Sequence, residues 1–452
     1  MTEQLKLKLN DSKATRWGAL VIVAFTMMAA YYVNDVVAPL KTMLETDLAW
    51  SSTDFGFFTG GYSFLNVFFL MLIWGGLILD RFGIRFTGKL ATILMVGGTA
   101  LEYYAMTGLA GADATLFGIN EIFGYKTGVF VAFAGYSIFG VGAEVAGITV
   151  SKIIAKWFKG KELATAMGVQ VALARIGSQA GYAVAIPLAR AFGISTPVLL
   201  GLVLLLGGMI AFFIFAVMDK KLDKQMEAAA IAAGTEDEEE KFSFKDVKNI
   251  LVNPGFWLIA LLCVLFYSCV FPFQKFASEL MIIKYGINEN VAGTFAGLPA
   301  LGALILTPVF GGFIDKRGKS ASIMLLGSAM LICVHFIYAI PDINYWLVAI
   351  VLMIILGIAF SLVPSAMWPA VAKIFPVSQL GTAYALIFFI QNIGLWGIPT
   401  LIGWVLDAYC ISGKKPDGTN MYDYTVPMCI FTGIACLSLI VALLLKKADK
   451  KY

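Results

Sequence analysis

Long apolar runs, broken by short polar segments that carry most of the lysines and arginines, make up nearly the whole chain. Crossing a bilayer takes about 20 mostly apolar residues per helix. Twelve runs qualify, at roughly 17–40, 52–78, 87–107, 127–152, 163–190, 195–218, 256–278, 291–314, 320–340, 345–372, 379–406 and 424–445. They are continuous, with embedded glycines, and so predict helices instead of the alternating strands of an outer-membrane barrel. The longest polar break, 219–255, is rich in Lys and Ala and then carries the acidic run Glu236 to Glu240. It reads as a solvated linker. The expectation is an all-α membrane protein of two six-helix bundles, 17–218 and 256–445, with polar tails at 1–16 and 446–452.

The two halves repeat each other. Gly76-x-x-x-Asp80-Arg81-x-Gly83-x-Arg85 follows the second run, and Gly311-x-x-x-Asp315-Lys316-x-Gly318-Lys319 follows the eighth. Leu163-Ala-Thr165-Ala166 matches Leu380-Gly-Thr382-Ala383, and Ile176-Gly177 matches Ile393-Gly394. One insertion, in the long loop near 108–126, accounts for the change of offset between these matches. Internal repeats of this kind mark secondary transporters. The glycines suit a tight turn and close helix contact. Asp80 is placed to accept from helix N-terminal amides, and the arginines to bind carbonyls or acids of the other half. This doubled signature resembles the loop shared by the major facilitator superfamily, which implies a pseudo-symmetric twelve-helix fold and a gating role for the loop.

Composition narrows the class further. Of 452 residues, 60% are hydrophobic and 14% charged, too apolar for a soluble enzyme, a disordered chain or a nucleic-acid binder. Most of the 33 Lys and Arg fall on one side of the twelve runs, together with both termini. The positive-inside rule then puts the termini and the 219–255 loop in the cytoplasm and Cys410 outside. Residues Met1 to Arg16 show no cleavage-like site. The 6 Cys and single His form no metal or disulfide pattern, so no metal or other cofactor is expected. His335, in the ninth run, reads as a packing residue. No nucleophile–base pair suggests an enzyme.

Charges inside the runs are the candidate chemistry. One at mid-membrane costs about 2.5–3.5 kcal/mol on insertion scales, so it pairs or lines a cavity. Glu144 lies in the fourth run, Arg175 in the middle of the fifth, and Asp35 towards the outer part of the first. Two readings stand. Glu144 and Arg175 form a structural salt bridge, or they hold a zwitterion, Arg175 forking onto a carboxylate and Glu144 accepting from an ammonium, and pair only when empty. Asp35, nearer water, is the candidate proton carrier beside Glu144. The repeat sets Ser361 opposite Glu144, Asn392 opposite Arg175 and Tyr267 opposite Tyr32. Lys275 and Glu279, four apart, read as a surface pair at the outer mouth.

Several stretches resemble the lysosomal dipeptide-transporter branch of the superfamily: WFKGKEL at 157–163, ARIGS at 174–178, VFPF at 270–273, MWPAVA at 367–372, LGTAY at 380–384 and QNIG at 391–394. The resemblance implies facilitated diffusion of dipeptides, Glu144 at the peptide amino end and Arg175 at the carboxyl end. It makes Tyr32, Tyr267, Trp368 and Asn392 partners of the peptide side chains. An acidic dileucine signal is missing, and the one Asn-x-Ser/Thr sequon, at Asn10, falls inside. The expectation is therefore a bacterial inner-membrane relative working without an obligatory protein partner. The alternatives are a mono- or dicarboxylate carrier, in which Glu144 only holds Arg175, and a proton-coupled peptide symporter. The latter family's Glu-x-x-Glu-Arg motif is absent from the first run. A receptor or scaffold without transport would need an additional domain.

Overall fold

In hydrocarbon every backbone N–H and C=O must be paired within its own segment, which leaves helices as the spanning element for these runs. The computed structural model describes residues 8–111, 114–233, 244–317 and 319–449. The first half comprises α1 (Lys13–Val36), α2 (Lys41–Asp47), α3 (Ser52–Phe68), α4 (Met71–Thr107), α5 (Thr127–Trp157), α6 (Leu163–Phe192) and α7 (Thr196–Ala233). A short α8 (Phe244–Val252) precedes the second half, α9 (Pro254–Tyr285), α10 (Glu289–Ala296), α11 (Leu298–Arg317), α12 (Ser320–Ala339), α13 (Trp346–Ile374), α14 (Val377–Tyr409) and α15 (Thr425–Asp449). Two antiparallel hairpins lie in loops: β1 (Glu121–Ile122) with β2 (Tyr125–Lys126), and β3 (Ile411–Lys414) with β4 (Asn420–Tyr422).

Among the described residues, nine helical spans are long and apolar enough to cross a membrane, and α3 with α4, bent by 58°, makes a tenth. The bent pair holds two of the expected spans. The second run does not stay one helix: it breaks at Phe69–Leu70, where Leu70 is left-handed (φ 54°), and its last turns belong to α4. That helix continues into the third run through Gly83, whose φ of 75° and ψ of 174° a side chain would resist. The eighth run splits between α10 and α11, and α6 carries Arg175 at its centre and lies outside the nine.

Within the halves, α1 packs on α6 and α7, α4 on α5, α9 on α14 and α15, and α12 on α13 and α15. Small residues allow backbones to touch. A Cβ on Gly98 would sit 2.4 Å from the Gly135 carbonyl oxygen of α5. The halves meet along α3–α14 and α6–α10–α11. There, too, glycines face backbone: a Cβ on Gly56 would lie 2.4 Å from the Pro399 oxygen, and one on Gly293 2.3 Å from that of Tyr182.

The signature loop departs from expectation in its partners. Asp80 accepts from Lys152 at 3.1 Å, and Arg85 reaches Asp223 at 2.6 Å and Asp219 at 3.5 Å, all within the first half. Arg81 lies 5.5 Å over the Phe82 ring. The neighbouring half is not their target, because acids of α7 lie closer. Gly83 supplies the turn, whereas Gly76 has open space about it and the close contact is made by Gly75 against Val145. In the second loop Lys316 is exposed. Gly318, the Asp315 side chain and the acidic run 236–240 lie outside the described residues.

Candidate substrate-binding site

α1, α5 and α6 of the first half, with α9, α13 and α14 of the second, bring the sequence candidates towards the space between the halves. Glu144 on α5 accepts a hydrogen bond from the Tyr62 hydroxyl of α3 at 3.0 Å. Arg175 on α6 has no carboxylate within ion-pair distance among the described residues. Its guanidinium lies 4.8 Å from the Phe360 ring of α13 and 5.7 Å from the Tyr31 ring of α1. Tyr31 lies within electrostatic reach of both charges. Glu144 and Arg175 therefore do not pair with one another here. This corrects the structural salt bridge: a tyrosine holds the acid, and aromatic faces hold the cation.

The second half answers with aromatic rings. Tyr267 stacks on Phe271 at 5.5 Å, Phe271 meets Phe360 edge-on at 5.3 Å, and Trp368 lies 4.9 Å from Phe388 and 5.7 Å from Tyr384. The Tyr267 hydroxyl sits beside the Trp368 indole and within reach of Arg175. Asn392 is buried. Its amide donates to the Phe388 carbonyl at 2.9 Å and its side-chain oxygen has no partner. Tyr31, Glu144, Arg175 and Trp368 keep partial exposure.

Tyr32 is not among them. It is buried, with its hydroxyl bonded to the Pro197 carbonyl at 3.2 Å and its ring against Gly201 of α7. One residue is about 100° of helix, so the neighbouring Tyr31 takes the inward position. Asp35 is not solvated either. It is buried and accepts from Lys275 at 3.1 Å, from Asn34 at 2.9 Å and from the Ser178 hydroxyl. Lys275 is thus no surface partner of Glu279. Its ammonium also reaches the Asn34 carbonyl at 2.6 Å. Cys410 is buried at the end of α14, and His335 bonds the Cys269 carbonyl at 3.0 Å as a packing residue.

Beyond Asp35–Lys275, at the end away from the termini, a charge cluster seals the halves. Lys41 lies 2.6 Å from Glu45 and 2.5 Å from Glu279 of α9, all three buried. Lys415, from the β3–β4 hairpin, stands 3.5 Å from each of the two glutamates. Tyr424 donates to Glu279. Asp407 accepts from the backbone amides of Ser52 and Thr53 at the start of α3, and Arg190 pairs with Glu289. Two lysines against two glutamates leave the central cluster neutral, the condition under which charges tolerate burial. All the described ion pairs that join the halves lie at this end.

A model of the Major Facilitator Superfamily matches residues 20–399 and 286–451. The chain belongs to this superfamily. This facilitator is 29% identical over 409 residues to the lysosomal dipeptide transporter MFSD1 of Homo sapiens, covering 87% of this chain and 81% of that one. To the Gallus gallus protein of the same name it is 33% identical over 287 residues, 61% of this chain and 62% of that one. Among solved structures it resembles the nucleoside transporter NupG, with a TM-score of 0.69 at 12% identity over 94% of this chain and 98% of the other. It also resembles a bacterial homologue of the human lysosomal transporter Spinster in an inward-facing, unoccupied conformation, with a TM-score of 0.68 at 14% identity over 97% and 98%. The last two likenesses concern the fold alone. The facilitator is a multi-pass membrane transporter and not an enzyme.

Sequence reasoning missed Tyr31, Tyr62 and Phe360 around the two charges, and Lys41, Glu45, Glu279 and Lys415 in the seal. A signal for one pair of the seal existed: Lys41 and Glu45 stand four apart just past the first apolar run.

Proposed function

We propose that this facilitator carries small zwitterionic peptides, dipeptides foremost, by alternating access and as a uniporter. The observation that carries the reading is that two opposite charges, Glu144 and Arg175, make no ion pair with each other and both lie within electrostatic reach of Tyr31. Arg175 takes the peptide carboxylate in a bidentate fork. Glu144, oriented by Tyr62, takes the ammonium. Tyr267, Trp368 and the free oxygen of Asn392 face the side chains. Similarity to the lysosomal dipeptide transporter supports the substrate class. A mono- or dicarboxylate carrier in which Glu144 merely holds Arg175 fits less well, because Glu144 is held by Tyr62 instead.

For Asp35, the outer candidate for proton uptake, uniport rests on Lys275 as a standing counter-ion; for Glu144, held by the Tyr62 hydroxyl and by no counter-ion, it rests on the peptide ammonium and is decided by the uptake assay below. The signature loops act at the gate, and the protein sits in a bacterial inner membrane with both termini cytoplasmic, needing no protein partner. The test is uptake into liposomes from a mixed pool of dipeptides, amino acids and dicarboxylates, read by mass spectrometry. Dipeptides should equilibrate and the others stay outside. Preferential uptake of dicarboxylates would overturn the substrate. Accumulation above the outside level with an alkaline interior, lost on adding a protonophore, would overturn uniport.

A further inference from the structure

At the end bearing the termini, the outer surface between α4 and α7 holds a groove of about 430 Å³ lined by Phe82, Arg85, Phe86, Lys89, Ala216, Val217 and Lys220. The break at Gly83 builds it. Phe82 lies just before the break and Phe86 just after, and their rings come together at 5.1 Å, each about half exposed. Gly88 lets the Phe212 ring close against α4, which fixes α7 alongside.

The charge around this groove does not balance. Among the described residues, Asp219 and Asp223 of α7 are the acids that pair with its lining residue Arg85, and both are already engaged. Arg85 and Lys156 bind the two of them, and the Trp157 indole donates to Asp219 at 2.9 Å. Two cations against two acids leave that network neutral. Lys89 and Lys220 remain, with no described carboxylate within ion-pair distance of either. Lys89 lies 5.3 Å over the Phe213 ring, and Lys220 is exposed.

Two uncompensated ammonium groups stand at the termini-side ends of the third and sixth apolar runs, with exposed Val217 and Phe213 on the membrane side of Lys220 and the two phenyl rings towards the loop, which matches an amphiphile with an anionic head. The groove lies where the third and sixth apolar runs reach their termini-side ends, the level of a bilayer's headgroups, and basic pockets between spanning helices hold anionic headgroups in this way. We propose that the groove binds an anionic phospholipid, its phosphate on Lys89 and Lys220, its first acyl chain running into the bilayer along Val217 and Phe213, and Phe82 and Phe86 flanking the headgroup on the loop side. The ligand then braces the Gly83 break against α7, next to the pairs that tie α4, α5 and α7 together.

Thermal unfolding of the detergent-purified full chain tests this, with phosphatidylglycerol, phosphatidylcholine or glycerol phosphate added. Phosphatidylglycerol should raise the midpoint of the wild type by several degrees and stay bound in native mass spectrometry. Both effects should be lost in the double variant Lys89→Gln/Lys220→Gln. They should persist in Lys221→Gln/Lys224→Gln, which removes equal charge from exposed positions outside the groove. Phosphatidylcholine and glycerol phosphate should give little shift. Equal responses of the two double variants, or of the two lipids, would overturn the proposal. A full shift from glycerol phosphate would also overturn it, by showing a site for free phosphate.

Discussion

Lys41→Met should open the sealed end. The side chain keeps its approximate length and loses its charge, and the seal then holds Glu45 and Glu279 against Lys415 alone, whose ammonium is 3.5 Å from each. Removing one partner from a buried ion set costs about 3–5 kcal/mol, since the partner left behind keeps its desolvation penalty. When the seal parts, water solvates both glutamates and the penalty disappears. Nearly the whole cost therefore falls on the sealed conformation. At about 1.4 kcal/mol per tenfold, the ratio of sealed to open protein should fall by roughly two to nearly four decades. Spin labels at Ala191 and Asn344, on different halves near the sealed end, in a background lacking the 6 native cysteines, would report this as a longer inter-spin distance. Lys41→Met/Glu279→Gln returns the cluster to one lysine and one glutamate and should largely restore the short distance. An unchanged distance in folded Lys41→Met, or a double variant as open as the single, would refute the reasoning.

Further expectations follow from the same structure. Arg175→Ala should weaken dipeptide binding by at least the roughly 1.5–3 kcal/mol of one charged hydrogen bond, and Arg175→Lys should restore little of it because a point charge cannot form the fork, both measurable by calorimetry. Glu144→Gln should weaken free dipeptides and spare N-acetylated ones; equal wild-type affinity for both forms would remove the ammonium role. Asp417→Cys, on the exposed turn of the β3–β4 hairpin, should react with an impermeant maleimide on intact cells, and reaction only after lysis would invert the orientation. Glu102 is fully buried with both carboxyl oxygens unpartnered. Glu102→Met should therefore stabilise the protein by roughly 1–3 kcal/mol, and a lowered unfolding midpoint would count against it.

Much of the architecture was legible because bilayer thickness fixes helix length and the pairing of backbone groups fixes helix type. The repeat of Asp80 in Asp315 marked the pseudo-symmetry without any structure. Glu144 and Arg175 stood out because a charge in hydrocarbon is expensive wherever it sits. Their partners did not stand out. Tyr31 and Tyr32 are adjacent and chemically identical, and only helix rotation decides which faces Arg175. Lys275 was misassigned to Glu279 because spacing of four is a local rule, whereas Asp35 is 240 positions away and meets Lys275 only because the two halves come together. The buried Lys41 cluster combines groups from α2, α9 and a hairpin, and no one-dimensional pattern joins them.

The glycine seam between α3 and α14 has a mechanical consequence. Gly56 and Gly403 sit near the sealed ends of their helices, backbone against backbone, with no side chains to reorganise as the halves turn. At 1.5 Å per residue, about 9 Å of α14 lies beyond Gly403 on the sealed side and about 40 Å on the other. Under the proposed alternating access, rotation about this contact would work as an unequal lever. A displacement of about 1 Å at the charge cluster becomes about 4 Å at the opposite mouth, so a few short ion pairs command a wide opening through leverage alone.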